Sequence, residues 1–158
     1  MVIPPLPGGG LKLYDPKTAP VVFDVVWCKF PVRENPDEPG PWVRAVLVVD
    51  VELMEDVDGT EWAAVTAAYG TGADNVVNLN EPRNLLIPRS EYRALGLHKP
   101  TVFQLDVSNQ RRMPWGEKYF VTQGYVKNQN IICGSLNAGQ QTKFHDCFKK
   151  LGRTFPLK

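Results

Sequence analysis

An arginine and a threonine stand at the ends of two apolar runs, and both side chains suit an anion. Arg44 interrupts the run W-V-R-A-V-L-V-V at residues 42–49, and an arginine is costly to bury unless it is paired. Thr71 follows another apolar run and lies between Gly70 and Gly72. Flanking glycines permit a positive φ and close approach of a ligand to the backbone. A hydroxyl beside such a nest of N–H groups can hold a phosphate oxygen.

Plainer interpretations of both residues stay open. Arg44 could form a structural ion pair with an acid such as Asp24, or extend its guanidinium to the rim of a barrel. Residues 70–72 could form an ordinary glycine turn. The anion site therefore depends on whether the fold brings Arg44 and Thr71 together.

A second cluster combines basic and aromatic residues. Arg111, Arg112 and Trp115 lie in the polar stretch S-N-Q-R-R-M-P-W-G-E, which predicts a loop with an exposed tryptophan. Such clusters suit single-stranded RNA, because bases stack on the aromatic ring and phosphates pair with arginine. Residues 111–158 also hold nine Lys and Arg against two acids, which indicates a surface facing a polyanion or, alternatively, a solvated helix face.

Composition narrows the class of protein. The 158 residues, 43% of them apolar, predict one globular domain. No apolar run approaches the ~20 residues that span a bilayer, and residues 1–10 lack the pattern of a signal peptide. Three widely spaced cysteines without a C-x-x-C motif argue against a disulfide scaffold or a zinc site. We therefore expect a cytoplasmic protein without membrane contact, metal or other cofactor.

The elements that must position these residues are mostly strands. Valine-rich and aromatic runs bounded by Pro, Gly and Asp predict strands. Both faces of the first strand are largely apolar, which is typical of a central or barrel strand. The predicted strands cover residues 24–30, 42–49, 61–69, 84–88, 101–107, 118–122 and 130–136. Between the first two lies a long proline-rich loop, residues 31–41, and residues 54–60 form a tight acidic turn around Asp58-Gly59.

Two helices complete the pattern. Ser90 and Gly96 bracket one or two helical turns as N-cap and stop signal. Residues 138–151 form the clearest helix, because Phe144, Cys147, Phe148 and Leu151 recur at helical spacing.

This order of elements, together with D-V-V-W (residues 24–27), G-P-W-V-R-A-V-L-V-V (40–49), V-T-A-A-Y-G-T-G (65–72) and I-I-C-G-S-L (131–136), resembles the PemK/MazF-like toxins. One departure is Ala45, which stands where the family usually has proline. The resemblance implies a mainly β (α+β) fold: a small SH3-like antiparallel barrel with a short internal helix and a C-terminal amphipathic helix. Residues 21–152 would form this domain, preceded by a flexible arm (1–20) and followed by a tail (153–158).

The resemblance also implies a function. Family members are metal-independent endoribonucleases, in which a ribose 2′-OH attacks the adjacent phosphate of single-stranded RNA. Arg44 and Thr71 would bind the scissile phosphate. The residues expected to contact RNA are Arg33, Gly70, Gly72, Arg111, Arg112 and Trp115. A homodimer and an antitoxin or other protein partner are expected as well.

Two alternatives belong to other classes. The first is a barrel that has lost cleavage and only binds another protein, as a phage or mobile-element protein would. The second is a gyrase-poisoning relative, in which the terminal helix acts. Fold alone does not decide among the three.

Overall fold

The computed structural model of the protein describes residues 12–123 and 129–153. Most of the expected arm and tail, residues 1–11 and 154–158, lies outside the described residues. The described part of the arm is packed on the domain: Leu13 forms a β-bridge with Gly116, and the hydroxyl of Tyr14 donates to the carbonyl of Phe120 at 2.7 Å. The packed domain thus begins before the expected boundary at residue 20.

The chain folds into a curled antiparallel sheet of seven strands, a half-barrel, closed by one C-terminal helix. Its elements are β1 (Asp24–Cys28), β2 (Arg44–Glu55), β3 (Glu61–Gly72), β4 (Asn84–Ile87), β5 (Thr101–Gln104), β6 (Gln110–Pro114), β7 (Ile132–Ser135) and α1 (Ala138–Lys150). The strand order is β4-β5-β3-β2-β1-β7, and β6 pairs with β3. The predicted mainly β antiparallel fold is confirmed.

Strand β3 bends the sheet because it belongs to two ladders. Its residues Ala64–Ala68 pair with β6, whereas Tyr69–Gly72 pair with β5. Along its other edge it forms a long hairpin with β2. The turn of that hairpin is tight: the Asp56 and Gly59 amides donate within it, and Gly59 has a φ of 85°. The predicted acidic turn is thereby confirmed, although β2 continues through Glu55.

Both faces of the β1–β2–β3 sheet are buried, as the apolar pattern of the first strand predicts for β1. One face packs under α1 and β4–β5 to form the helix-side core, with Val25, Trp27, Leu47, Phe103, Phe144 and Phe148 among its members. The other packs under β6 and residues 115–120 to form the β6-side core, with Val26, Cys28, Val46, Val65, Met113 and Phe120. Alternating residues of one strand thus supply two cores.

Helix α1 begins and ends on local signals. Asn137 and Gln140 form a reciprocal capping box, with hydrogen bonds of 2.8 and 2.9 Å. The predicted stripe faces the helix-side core, where Phe144 and Phe148 are fully buried. Gly152, with a φ of 68°, follows the last turn. The expected helix is confirmed to within one residue. None of the helices among the described residues is long and apolar enough to cross a membrane.

Three local predictions are wrong. Residues 118–122 are not a strand, because Tyr119 and Phe120 turn into the β6-side core and the Phe120 amide bonds the Gly116 carbonyl. Gln110–Pro114, expected as loop, is strand β6. Its sequence does not alternate, but the free edge of β3 offers it backbone partners. Ser90 caps no helix, since the internal helix is one 3-10 turn that starts after Tyr92 and stops at Gly96.

Candidate functional site

The β2–β3 hairpin places the start of β2 next to the end of β3. Arg44, at the start of β2, and Thr71, near the end of β3, are therefore brought together. The ladder pairs Leu47 with Ala68, and the same register carried onward would set Arg44 opposite Thr71. The backbones remain close beyond the ladder, because a Cβ on Gly70 would lie 2.0 Å from the carbonyl oxygen of Ala45. Only glycine fits there without a shift of the backbone.

Arg44 and Thr71 line the same open cleft, of about 240 Å³, at the end of the sheet where β1 and β3 finish and β2 begins. The further side chains with polar or aromatic groups that line this first cleft include Trp27, Trp42, His98 and Lys99. The expected juxtaposition of Arg44 and Thr71 is what the fold produces.

Arg44 is held by an aromatic residue and not by an acid. Its Nη1 donates to the hydroxyl of Tyr69 at 2.9 Å, and its guanidinium carbon lies 5.0 Å from the centroid of the same ring. Asp24, the acid considered for a structural ion pair, instead accepts from the Val21 amide at 2.9 Å. Arg44 forms no ion pair with any described carboxylate. Its positive charge therefore remains available to an anion in the cleft.

Thr71 has one hydroxyl lone pair occupied. Its Oγ1 accepts a hydrogen bond of 3.3 Å from the side-chain amide of Asn75. The hydroxyl hydrogen has no acceptor among the described residues, so it can be donated to a ligand in the cleft.

The glycine nest around Thr71 is not formed. Gly70 and Gly72 are extended residues of β3, paired with Phe103 and Thr101 of β5, and neither has a positive φ. The expected turn of free N–H groups is therefore wrong. The two glycines instead allow close packing, against Ala45 in one case and against Asp74 and Lys99 in the other.

Lys99 is a cleft residue that the sequence analysis does not single out. Its Cε and Nζ lie 2.9 Å from the position that a Cβ on Gly72 would occupy. Its ammonium forms no ion pair within the described part of the chain. Lys99 precedes β5, and the pairing of Gly72 with Thr101 brings it beside Gly72, the residue after Thr71. A second cation thus faces the cleft that holds Arg44.

His98 also lines the first cleft. It is exposed, and its ring centroid lies 5.2 Å from that of Trp27. An imidazole in this place can accept and donate protons. Cys28, paired with Arg44 across the β1–β2 ladder, is fully buried in the β6-side core. Burial raises the pKa of its thiol far above the usual range, so it is not a nucleophile at neutral pH.

A second cleft of about 340 Å³ adjoins the first and shares Trp42 and Arg44 with it. It also contains Arg33, from the proline-rich loop, and Arg111, from β6. The guanidinium carbon of Arg111 lies 5.8 Å from the Phe30 ring centroid. Two of the residues expected to contact RNA thus meet Arg44 in one groove.

The rest of the basic–aromatic cluster is dispersed. Arg112 follows Arg111 in β6, and strand alternation sends it to the opposite face, where its Nη2 lies 3.2 Å from a Glu52 carboxylate oxygen. Trp115, expected to be exposed, is only 3% exposed. It packs between Tyr14 and Phe120 and donates to the Thr18 hydroxyl at 3.0 Å. A buried ring cannot stack on a base, so the prediction for Trp115 is wrong.

Neither a metal site nor a similar known protein gives further information about the function of the cleft. Across residues 12–123 and 129–153, no group of three or more His, Cys, Asp and Glu side chains could hold a metal ion. No protein-family model matches the chain, and no curated protein or solved structure matches it either.

Proposed function

We propose that the protein is an endoribonuclease that cleaves single-stranded RNA in the first cleft, as its resemblance to the PemK/MazF-like toxins implies. One observation carries the proposal. Arg44 and Thr71, on different strands, line one open cleft, and no described carboxylate neutralises the guanidinium. An arginine without a counter-charge and a hydroxyl that still has a hydrogen to donate, in one cleft, form an arrangement that suits a phosphate.

The guanidinium and the hydroxyl have the same task. Arg44 offers a planar set of donors that stays protonated, and it can bind two oxygens of one phosphate. Thr71 donates its hydroxyl hydrogen to the same group. Charge on these oxygens grows as the phosphate becomes pentacoordinate, and a donor already aimed at such charge is worth about 2.7–4 kcal/mol. Lys99 adds a further positive charge to the cleft.

The reaction breaks one bond to phosphorus and forms another. The ribose 2′ oxygen bonds to the phosphorus while the bond from phosphorus to the 5′ oxygen breaks. One product ends in a 2′,3′-cyclic phosphate and the other begins with a 5′-OH. The 2′-OH loses a proton and the 5′ oxygen gains one, so the step is balanced. His98 has the chemistry to carry that proton, since imidazole is the commonest general acid and base.

The test is cleavage of a fluorescent single-stranded RNA of mixed sequence in EDTA. The natural sequence should cut it, and the new 5′ ends should accept phosphate from polynucleotide kinase without prior treatment. Arg44→Ala and Thr71→Ala should each slow cutting by at least about 100-fold. Thr71→Ser keeps the hydroxyl and should retain most activity. Arg112→Ala is the matched control, because that arginine faces away from the cleft and pairs with Glu52.

Three other results would overturn the proposal. Intact RNA together with a stable protein complex would favour the binding-only barrel. Trapped cleaved DNA that persists in Arg44→Ala would favour a gyrase poison. Equal rates of RNA cleavage by the natural protein and Arg44→Ala would show that cleavage does not take place at Arg44.

The proposal extends to partners and location. The protein would act in the cytoplasm as the toxin of a toxin–antitoxin pair, and as a homodimer. Sedimentation should then report twice the chain mass of 17.7 kDa.

A further inference from the structure

Trp42 is an exposed aromatic residue at the junction of the two clefts. Its exposed fraction is 68%, and it lines the first cleft as well as the second. The other tryptophans of the described chain, Trp27, Trp62 and Trp115, are at most 4% exposed. Leaving so large an apolar surface in water is unfavourable, so Trp42 is the ring in this region that a ligand could cover.

The backbone before Trp42 is anchored. The Gly40 amide donates to the Lys29 carbonyl at 3.1 Å, and a Cβ on Gly40 would lie 2.1 Å from the Phe30 carbonyl oxygen. Pro41 then fixes one backbone angle, and β2 begins at Arg44, two residues after Trp42. Trp42 thus lies between Gly40, whose position is fixed by these contacts, and the start of the sheet, although the loop that precedes it is long.

The charge around Trp42 favours a polyanion. Arg33, Arg44 and Arg111 line the second cleft, and Glu34 is its single acid among the described lining residues. A partner that offers only apolar side chains would leave these arginines desolvated without a counter-charge. A single nucleic-acid strand supplies both an apolar base face and phosphates.

We propose that Trp42 is the stacking platform for a nucleobase adjacent to the scissile phosphate, and that the second cleft holds the flanking nucleotide between Arg33 and Arg111. This inference rests on the proposed function. Phosphate contacts at Arg44 fix the position of the strand, and the indole face holds one base beside it. Stacking accepts any base, so Trp42 contributes affinity more than sequence preference.

The test separates stacking from phosphate binding. Two fluorescein-labelled single strands of equal length are compared by anisotropy: a 2′-O-methyl oligomer of mixed sequence, and an abasic oligomer with the same phosphates. Neither has a 2′-OH that could attack. The variants are Trp42→Ala, Trp42→Phe and Arg44→Ala. Leu53→Ala is the matched control, because Leu53 is 64% exposed and lines neither cleft.

Trp42→Ala should weaken binding of the base-containing strand by about 5- to 150-fold and leave binding of the abasic strand unchanged. Trp42→Phe should recover most of the loss, Arg44→Ala should weaken both strands, and Leu53→Ala should match the natural protein. Equal loss on both strands, or no loss with Trp42→Ala, would overturn the inference even if the protein cuts RNA. Stacking at Trp42 in a protein that cuts no RNA would support the inference and defeat the proposed nuclease. Failure of the natural protein to bind either strand would overturn both.

Discussion

Arg44 and Tyr69 are joined in two ways: a 2.9 Å hydrogen bond to the phenol oxygen, and a guanidinium that lies 5.0 Å from the ring centroid. Tyr69 is two residues before Thr71 on β3, and alternate residues of a strand share a face. One strand therefore supplies both the hydroxyl of the site and the ring that orients its cation.

Tyr69→Phe keeps the ring and removes the hydroxyl. We expect kcat for RNA cleavage to fall about tenfold with little change in KM, because RNA would still bind at Arg44 while the guanidinium would be less well oriented. The hydrogen bond that is lost involves a charged group, and such a bond is worth about 1.5–3 kcal/mol. Single-turnover kinetics would measure it, with the melting temperature as the folding control. An unchanged kcat would show that Tyr69 does not orient Arg44.

Gly70→Ala should destabilise the fold. The added Cβ would meet the Ala45 carbonyl oxygen at 2.0 Å and the Phe103 ring at 3.0 Å, and overpacking typically costs about 1–3 kcal/mol. Gly139→Ala in α1 is the matched control, since its Cβ would meet only the Asn137 side chain at 3.5 Å. There we expect a gain of about 0.5 kcal/mol from helix propensity. Urea denaturation measures both, and equal midpoints would contradict the close β2–β3 contact.

Lys99→Gln should weaken binding of the 2′-O-methyl strand and reduce its dependence on salt. Removing one phosphate contact lowers the slope of log K against log salt by about 0.7 for a single strand. Anisotropy titrations over a range of salt concentrations provide the slope. Lys149→Gln, in the exposed last turn of α1, should leave it unchanged. Identical slopes for the two variants would show that Lys99 does not contact a phosphate of the bound strand.

Asp106 should make stability depend on acid pH. Burial by itself raises the pKa of this carboxyl, but hydrogen bonds from Asn109 and Ser108 outweigh burial and hold the pKa below its ordinary value. The stabilisation is thus fully present above the unfolded-state value of about 3.9 and is lost as pH falls through the lower folded value. Asp106→Asn should cost about 1 kcal/mol at pH 7 and much less near pH 2. A constant difference across this range in urea denaturation would contradict the prediction.

Two thiols should resist alkylation in the folded protein. Burial raises the pKa of Cys133 to about 12 and that of Cys28 still further. The reactive species is the thiolate, so at pH 8 iodoacetamide should modify neither residue at an appreciable rate. In urea both should react, and peptide mass spectrometry would count the adducts. Rapid native labelling of Cys28 would show that the β6-side core opens.

The meeting of Arg44 with Thr71 could be predicted because it depends on a hairpin. Once the Asp58-Gly59 turn is recognised, antiparallel pairing brings the start of one strand to the end of the next. Helix α1 was predictable for a similar reason, since its apolar stripe and its stop signal at Gly152 are local. Both features need only short-range pattern and turn chemistry.

Lys99, Trp115 and strand β6 depend on contacts that are distant in sequence. Lys99 reaches the cleft only because Gly72 pairs with Thr101. Trp115 lies in a polar stretch but is covered by Tyr14, about a hundred residues earlier. Residues 110–114 form β6 because β3 has a free edge, not because of their own propensity. Tertiary context outweighs local pattern in each case.

The back-to-back placement of the two cores has a consequence for how the molecule melts. Strands β1, β2 and β3 contribute side chains to both cores. Disrupting either hydrophobic core therefore also removes support from the strands that form the other core. Thermal unfolding should then be a single cooperative event with matching calorimetric and van't Hoff enthalpies. The amides of Val46 and Val65, sealed from both directions, should be among the slowest to exchange with deuterated solvent.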